Sequence, residues 1–161
     1  MFYYIDGYNL IFTLVDSKHP LSHQRKKIIQ ILQTQFASLQ LKGMIVFDGS
    51  HKRDEESGLS YANPLDIAYT PKGQTADEYI VEKLQWESKR HLITVVSNDR
   101  GLLRHAQELG GKTQSNESFI NYLKKRKSKN KKQKFELKET QKNIDRLLKI
   151  FEERLNNEYP E

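Results

Sequence analysis

The chain has 161 residues, no cysteine and a formal net charge of +6. That length suits one compact domain with at most a small appendage. Without cysteine, disulfides and thiolate metal sites are excluded. The absence of any apolar run of about eighteen residues, or of a basic start leading into a long apolar stretch, points to a cytoplasmic protein with no membrane attachment.

The charge is unevenly spread. Residues 1–123 hold 14 Lys/Arg and 14 Asp/Glu, a net of zero, and residues 135–161 hold 5 bases and 7 acids. The whole excess therefore sits in KKRKSKNKKQK at 124–134, with eight bases in eleven positions. Such a segment argues for a local polyanion-binding patch on an otherwise neutral domain, the alternative being a solvated linker to the last helix.

In chain order, FYYI (2–5) is aromatic and β-branched and is predicted to be a strand. Residues 22–40 predict a helix. Ser22 is its expected N-cap, and Ile28, Ile29, Leu32, Phe36 and Leu39 fall at helical spacing. Gly43 is expected to end that helix before a second strand, MIVF (44–47). Residues 48–65 predict a long loop, DIAYT (66–70) a short strand and PKGQ (71–74) a turn.

A helix follows over 76–88, with Ile80, Val81, Leu84 and Trp86 among its apolar positions. HLITVV (91–96) is the most strand-like run, and a helix over 99–108 closes at Gly110-Gly111. A short strand near 112–114, a helix near 117–126 and an amphipathic helix over 135–156 complete the chain. Alternating strands and helices imply a Rossmann-like three-layer α/β/α fold with a mainly parallel sheet. The expected division is a domain over 1–123 and a Lys-rich segment with a long helix over 124–161.

Three predicted strands run directly into acids: FYYI into Asp6, MIVF into Asp48 and ITVVS into Asn98-Asp99. In an open parallel sheet the carboxyl ends of the strands share one edge, and the functional crevice lies there. A fourth acid comes from QTADEY (74–79), where Thr75 and Glu78 form a capping-box pattern. That leaves Asp77 free to point at the edge, although the two neighbouring acids could exchange roles. Each acid alone also reads as an ordinary turn or cap residue.

Together, clustered carboxylates repel unless they share a proton or a cation. With oxygen ligands only, the fitting cation is Mg²⁺ or Mn²⁺. Such an ion lowers the pKa of a bound water and polarises phosphorus. Asp6, Asp77 and Asp99 are the expected metal ligands. Asp48 is a weaker ligand or acts through water. Asn9 can orient water or substrate, because its amide both donates and accepts. Ser97 and Asn98 offer neutral polar atoms beside Asp99, or else cap the helix that starts there.

The segments DGYNLI (6–11), VFDGS (46–50), TADEYI (75–80) and VVSNDRGL (95–102), in this order and at this spacing, carry a resemblance. The set resembles the YacP-like branch of NYN domains, within the PIN-like nuclease superfamily, over about residues 1–123. The resemblance implies a PIN-like fold and metal-dependent cleavage of single-stranded RNA, with the acidic cluster at Asp6, Asp48, Asp77 and Asp99 and with Asn9 beside the first acid. It further implies mRNA as substrate and the ribosome as a partner. The Lys-rich segment and final helix lie outside it.

For RNA contacts, His51, Lys52 and Arg53 follow the acidic edge, though Asp54, Glu55 and Glu56 would cancel their charge on a solvated loop. Lys72 precedes Asp77 in a turn where Gly73 permits close backbone approach, and Arg100 follows Asp99. Tyr8 and Tyr61 could stack on bases, and packing beside the first strand is the plainer reading of Tyr8. Trp86 and Tyr79 are expected in the core, and His105 as structural or exposed. Lys124, Lys125, Arg126 and Lys127 open the basic run, which would bind phosphates without sequence preference.

Two other functional classes compete. One is a non-catalytic RNA- or ribosome-binding module on the same fold. The other is a phosphatase or phosphotransferase, against which stand the missing GxxxxGK[ST] loop and Tyr8 in place of the second acid of a D-x-D pair.

Overall fold

The computed structural model describes residues 1–14, 19–49, 60–62, 64–129 and 138–158. Its elements in chain order are β1 (Phe2–Asp6), α1 (Gly7–Leu14), α2 (Leu21–Leu39), β2 (Lys42–Phe47), β3 (Ser60–Ala62), β4 (Leu65–Tyr69), α3 (Ala76–Trp86), β5 (Ile93–Val96), α4 (Arg100–Glu108), β6 (Lys112–Gln114), α5 (Asn116–Lys129) and α6 (Lys138–Glu158). The sheet order is β3-β4-β2-β1-β5-β6, parallel except for β3, which pairs antiparallel with β4 at one edge.

β1 is the central strand because both its faces are apolar. Ile5 stands opposite Ile45 of β2 and Val96 of β5. Its neighbours in sequence divide between two cores. Tyr3 and Ile5 join Phe36, Phe119 and Phe151 on the face covered by α1, α2, α5 and α6. Tyr4 joins Val46, Val95, Ile80 and Leu102 on the face covered by α3 and α4. The fold is the Rossmann-like α/β/α sandwich that alternating elements imply.

Several local expectations are corrected. α1 follows Asp6 directly, over residues to which the sequence assigned no element. No loop separates β1 from α1, and the helix starts hard against β2. A Cβ on Gly7 would lie 2.5 Å from the Phe47 ring and 2.9 Å from the Val46 carbonyl. β3 lies within the expected 48–65 loop. Pro20, with no capping side chain, takes the N-cap position expected of Ser22. α2 ends at Gln40 in the left-handed region (φ 56°) rather than at Gly43. Gly43 is inside β2, where a Cβ would meet the Tyr3 carbonyl at 2.7 Å.

Trp86, expected in the core, is 83% exposed at the end of α3. Tyr79 is half-buried with the Lys83 ammonium 5.3 Å from its ring centroid, and His105 is exposed.

The C-terminal helices belong to the same body. α5 runs unbroken through the expected boundary at 123, and Ile144, Leu148 and Phe151 of α6 are buried in the larger core with Ile11 and Leu14 of α1. Among the described residues no helix is long and apolar enough to cross a membrane.

Candidate active site

The site lies at the carboxyl edge of β1 and β5. Asp6 closes β1 and is only 6% exposed. β5 pairs beside it and ends at Val96, which delivers Ser97, Asn98 and Asp99 to the same edge. The Ser97 hydroxyl lies 3.1 Å from Asp6 Oδ2 and 3.2 Å from Asn9 Oδ1, one proton facing two acceptors, and it accepts the Asp99 N–H at 3.0 Å. α3 brings the third acid. Thr75 Oγ1 accepts the Glu78 N–H and Glu78 Oε2 accepts the Thr75 N–H, so Glu78 is held by the capping box and its neighbour Asp77 is available to the site.

Asp6, Asp77 and Asp99 form one electrostatic unit. Burial is the main cause pushing the Asp6 carboxyl above the usual range, while hydrogen bonds from Asp77, Ser97 and the Asn9 N–H oppose it. Asp77 is pushed up to about 8, first by burial and then by hydrogen bonds to Asp99 and Asp6 and their negative charge. Asp99 is held below the usual range, first by the Asp77 hydrogen bond and then by the N–H groups of Leu102 and Gly101, which it accepts at 3.2 and 2.9 Å as the α4 N-cap. Asp77 therefore carries the proton that three crowded carboxylates require, and donates it to its partners.

A hard cation could take that proton's place, since the donors are all carboxylate oxygens. Among the described residues no three such side chains are already spaced as a closed coordination set.

Asn9 is held from below. Its side-chain oxygen accepts the Asn98 N–H at 2.8 Å and Asn116 Nδ2 at 2.9 Å. Among the described residues no partner takes its amide NH₂, which leaves two donors beside Asp6. Asn116 was missed by sequence reasoning. It is fully buried, bonds Asn9 and Thr13, and receives Asn98 Oδ1 on its own N–H at 2.9 Å. The only signal was an asparagine opening a helix after β6. Asn98 Nδ2 reaches Glu117 at 3.0 Å, so Asn98 is a brace between β5 and α5.

The remaining candidates scatter. Asp48 follows β2 and is half-buried, and it is not among the groups that shift Asp6, Asp77 or Asp99. Lys72 is exposed in the turn before α3. That turn is tied to the end of β2 by Thr70 Oγ1, which accepts the Gly49 N–H at 3.0 Å and donates to the Gln74 carbonyl at 2.7 Å. Arg100 is exposed at the start of α4. His51, Lys52 and Arg53 lie outside the described residues, as does the Tyr61 side chain.

Tyr8 is corrected from stacking candidate to core residue. It is 5% exposed, packs edge-on against Phe47, and its hydroxyl accepts Arg25 Nη1 at 3.0 Å. Lys124 is also corrected, since it is half-buried and paired with Glu152 of α6 rather than free for phosphates. Lys125 and Arg126 are exposed, with Arg126 Nη1 donating to Tyr122 at 2.8 Å. Lys127 continues α5, its side chain outside the description.

A family model described as the YacP-like NYN domain matches residues 3–159. The chain belongs to the YacP-like NYN domain family. The match runs through α6, which corrects the expectation that the resemblance ends near residue 123. Among solved structures, Rae1 (YacP) from Bacillus subtilis is 19% identical with a TM-score of 0.66, over 98% of this chain and 91% of that one. Its W164L mutant is 18% identical with a TM-score of 0.63, over 80% and 77%. These likenesses show the shared fold. No curated protein matches the chain by sequence. YacP-like NYN membership makes the chain a nuclease-type, RNA-related domain.

Proposed function

We propose that the chain is a Mg²⁺- or Mn²⁺-dependent endoribonuclease acting on single-stranded RNA, with mRNA on the ribosome as the substrate that its family resemblance implies. The observation that carries this reading is the proton-sharing trio of Asp6, Asp77 and Asp99 on the carboxyl edge. A pure RNA binder gains nothing from three carboxylates facing phosphates.

Asp6, Asp77 and Asp99 would hold the cation, which when bound supplies an acidified water and polarises the phosphodiester. The chain's own residues do the rest. Asp6 is fixed by the Ser97 hydroxyl and the Asn9 N–H, so its carboxylate is held in one orientation at the edge where a cation would bind. The Asn9 amide, locked through its oxygen, presents its NH₂ as a donor to a phosphate oxygen. Asp77, which holds the shared proton, would have to release it for a cation to be held there. Lys72 and Arg100 supply positive charge at the rim.

Cleavage of an unstructured oligoribonucleotide, and of mRNA on ribosomes, is the test. It should need Mg²⁺ or Mn²⁺, stop with EDTA and be lost in Asp6→Asn and Asp99→Asn. An Asp6→Asn protein that cut at the wild-type rate would overturn the metal-site reading, and wild-type protein that cut no RNA with either ion would leave only the RNA-binding module.

A further inference from the structure

We infer that Phe12 is a base-stacking platform for the RNA strand beside the acidic site, a reading that rests on RNA being the ligand of that edge. Phe12 is 62% exposed on α1. A lone exposed apolar residue is ordinary, but three features set this one apart.

First, its orientation is fixed. The Phe12 ring is stacked on Tyr8, with centroids 6.0 Å apart and planes inclined by 19°. Tyr8 in turn is clamped, with Phe47 edge-on at 4.9 Å and its hydroxyl on the buried Arg25. One face of Phe12 is thus backed by a rigid ring, and the other faces solvent. A preordered ring loses little entropy when a base lies on it.

Second, its place is right. Phe12 follows Asn9 by three residues on one helix, which makes them surface neighbours about 5–6 Å apart at Cβ. The Asn9 N–H bonds Asp6. The ring therefore stands next to the group that presents donors at the acidic edge, within reach of a nucleotide neighbouring the phosphate held there.

Third, the chemistry is complementary. Carboxylates and a cation hold phosphate but ignore the base. An open aromatic face binds any base through its π-system, which suits single strands and excludes paired ones whose bases are stacked on each other. Tyr8 carries the aromatic character that sequence reasoning assigned to this role, but its ring is spent on holding Phe12.

The experiment is fluorescence anisotropy of a labelled ten-nucleotide RNA with the full chain in EDTA, where binding is read without cleavage. Phe12→Ala should weaken binding roughly 5- to 100-fold. Phe12→Trp should retain it, and Phe12→Leu, apolar but unable to stack, should behave like Phe12→Ala. A single abasic residue walked along the strand should, at one position, weaken wild type and leave Phe12→Ala unaffected. Trp86→Ala, at the far end of α3 and equally accessible, should change nothing. Thermal melts confirm that each variant folds.

Phe12→Ala binding as tightly as wild type, or Trp86→Ala losing as much, overturns the inference. So does wild-type protein that binds no single-stranded RNA. Failure of the nuclease reading shows separately, as wild-type protein that binds the strand but does not cleave it with Mg²⁺ or Mn²⁺.

Discussion

The acidic edge and the basic run concentrate charge in opposite ways. Asp6, Asp77 and Asp99 are far apart in sequence, and the sheet and two helix starts gather them into one crowded, partly dehydrated group. The basic run is contiguous in sequence, and its three described bases have different surroundings. Lys124 turns to Glu152, Arg126 lies against Tyr122, and Lys125 faces solvent. Composition therefore advertises the weaker feature. Contiguous lysines repel one another into water at little cost, whereas gathered carboxylates raise the free energy of the native state until a proton or cation relieves them.

The comparison breaks most sharply at Asp6. Asp6→Asn should lower cleavage by more than about 100-fold, beyond the 10–100-fold typical of residues that only orient ligands; rates with Mn²⁺ measure it. Next comes the packing that holds the basic half in place. Phe151→Ala should destabilise the chain by about 3 kcal/mol, the low end for a core phenylalanine because this one sits at the core's margin; urea unfolding reads it.

The third test sharpens the electrostatics. Asp77 binds its proton more tightly folded, at about 8, than as an ordinary carboxylate, and Asp6 shifts the same way. Their contribution to stability is thus fully present below about pH 4 and is lost as pH rises toward 8. Asp99 shifts the other way, so its contribution is lost only as pH falls below the ordinary range. In EDTA the melting temperature should fall between pH 5 and 8, Asp77→Asn should flatten that slope, and Mg²⁺ should raise stability most at pH 8. A slope unchanged in Asp77→Asn would dissolve the shared-proton picture. The smallest effect belongs to Lys124→Gln, which should cost about 0–1 kcal/mol, as expected of a half-exposed pair; a larger loss would make the basic run structural.

The architecture was legible because β1, β2, β4 and β5 are buried on both faces, which leaves unbroken apolar runs in the sequence. The acids were legible as residue types because each follows such a run or a capping box. What escaped was set by distant packing. α1 has only eight residues and opens on glycine and asparagine signals that elsewhere mean a turn, yet Gly7 is needed because Phe47 fills the space a side chain would take. Asn116 looks like any helix-opening asparagine until Asn9, Thr13 and Asn98 meet around it. Trp86 departs from its pattern, whereas Tyr8 takes the plainer of its two readings. Tyr8 lies in α1, whose burial only the folded context sets, and Trp86 sits where α3 runs out beyond the sheet. The order of the three carboxyl affinities has no local sequence signal, since it depends on burial and on contacts among residues far apart in the chain.

The contact between α1 and α6 also has a bearing on synthesis. The helix carrying Asn9 and Phe12 is made first, and part of its apolar side is covered by Phe151, made some 140 positions later. During translation the sheet can assemble while that side stays bare, and it is covered only once α6 has cleared the exit. A chain lacking α6 would thus expose the parts of Ile11 and Leu14 that this helix covers, apolar surface of the kind that chaperones bind.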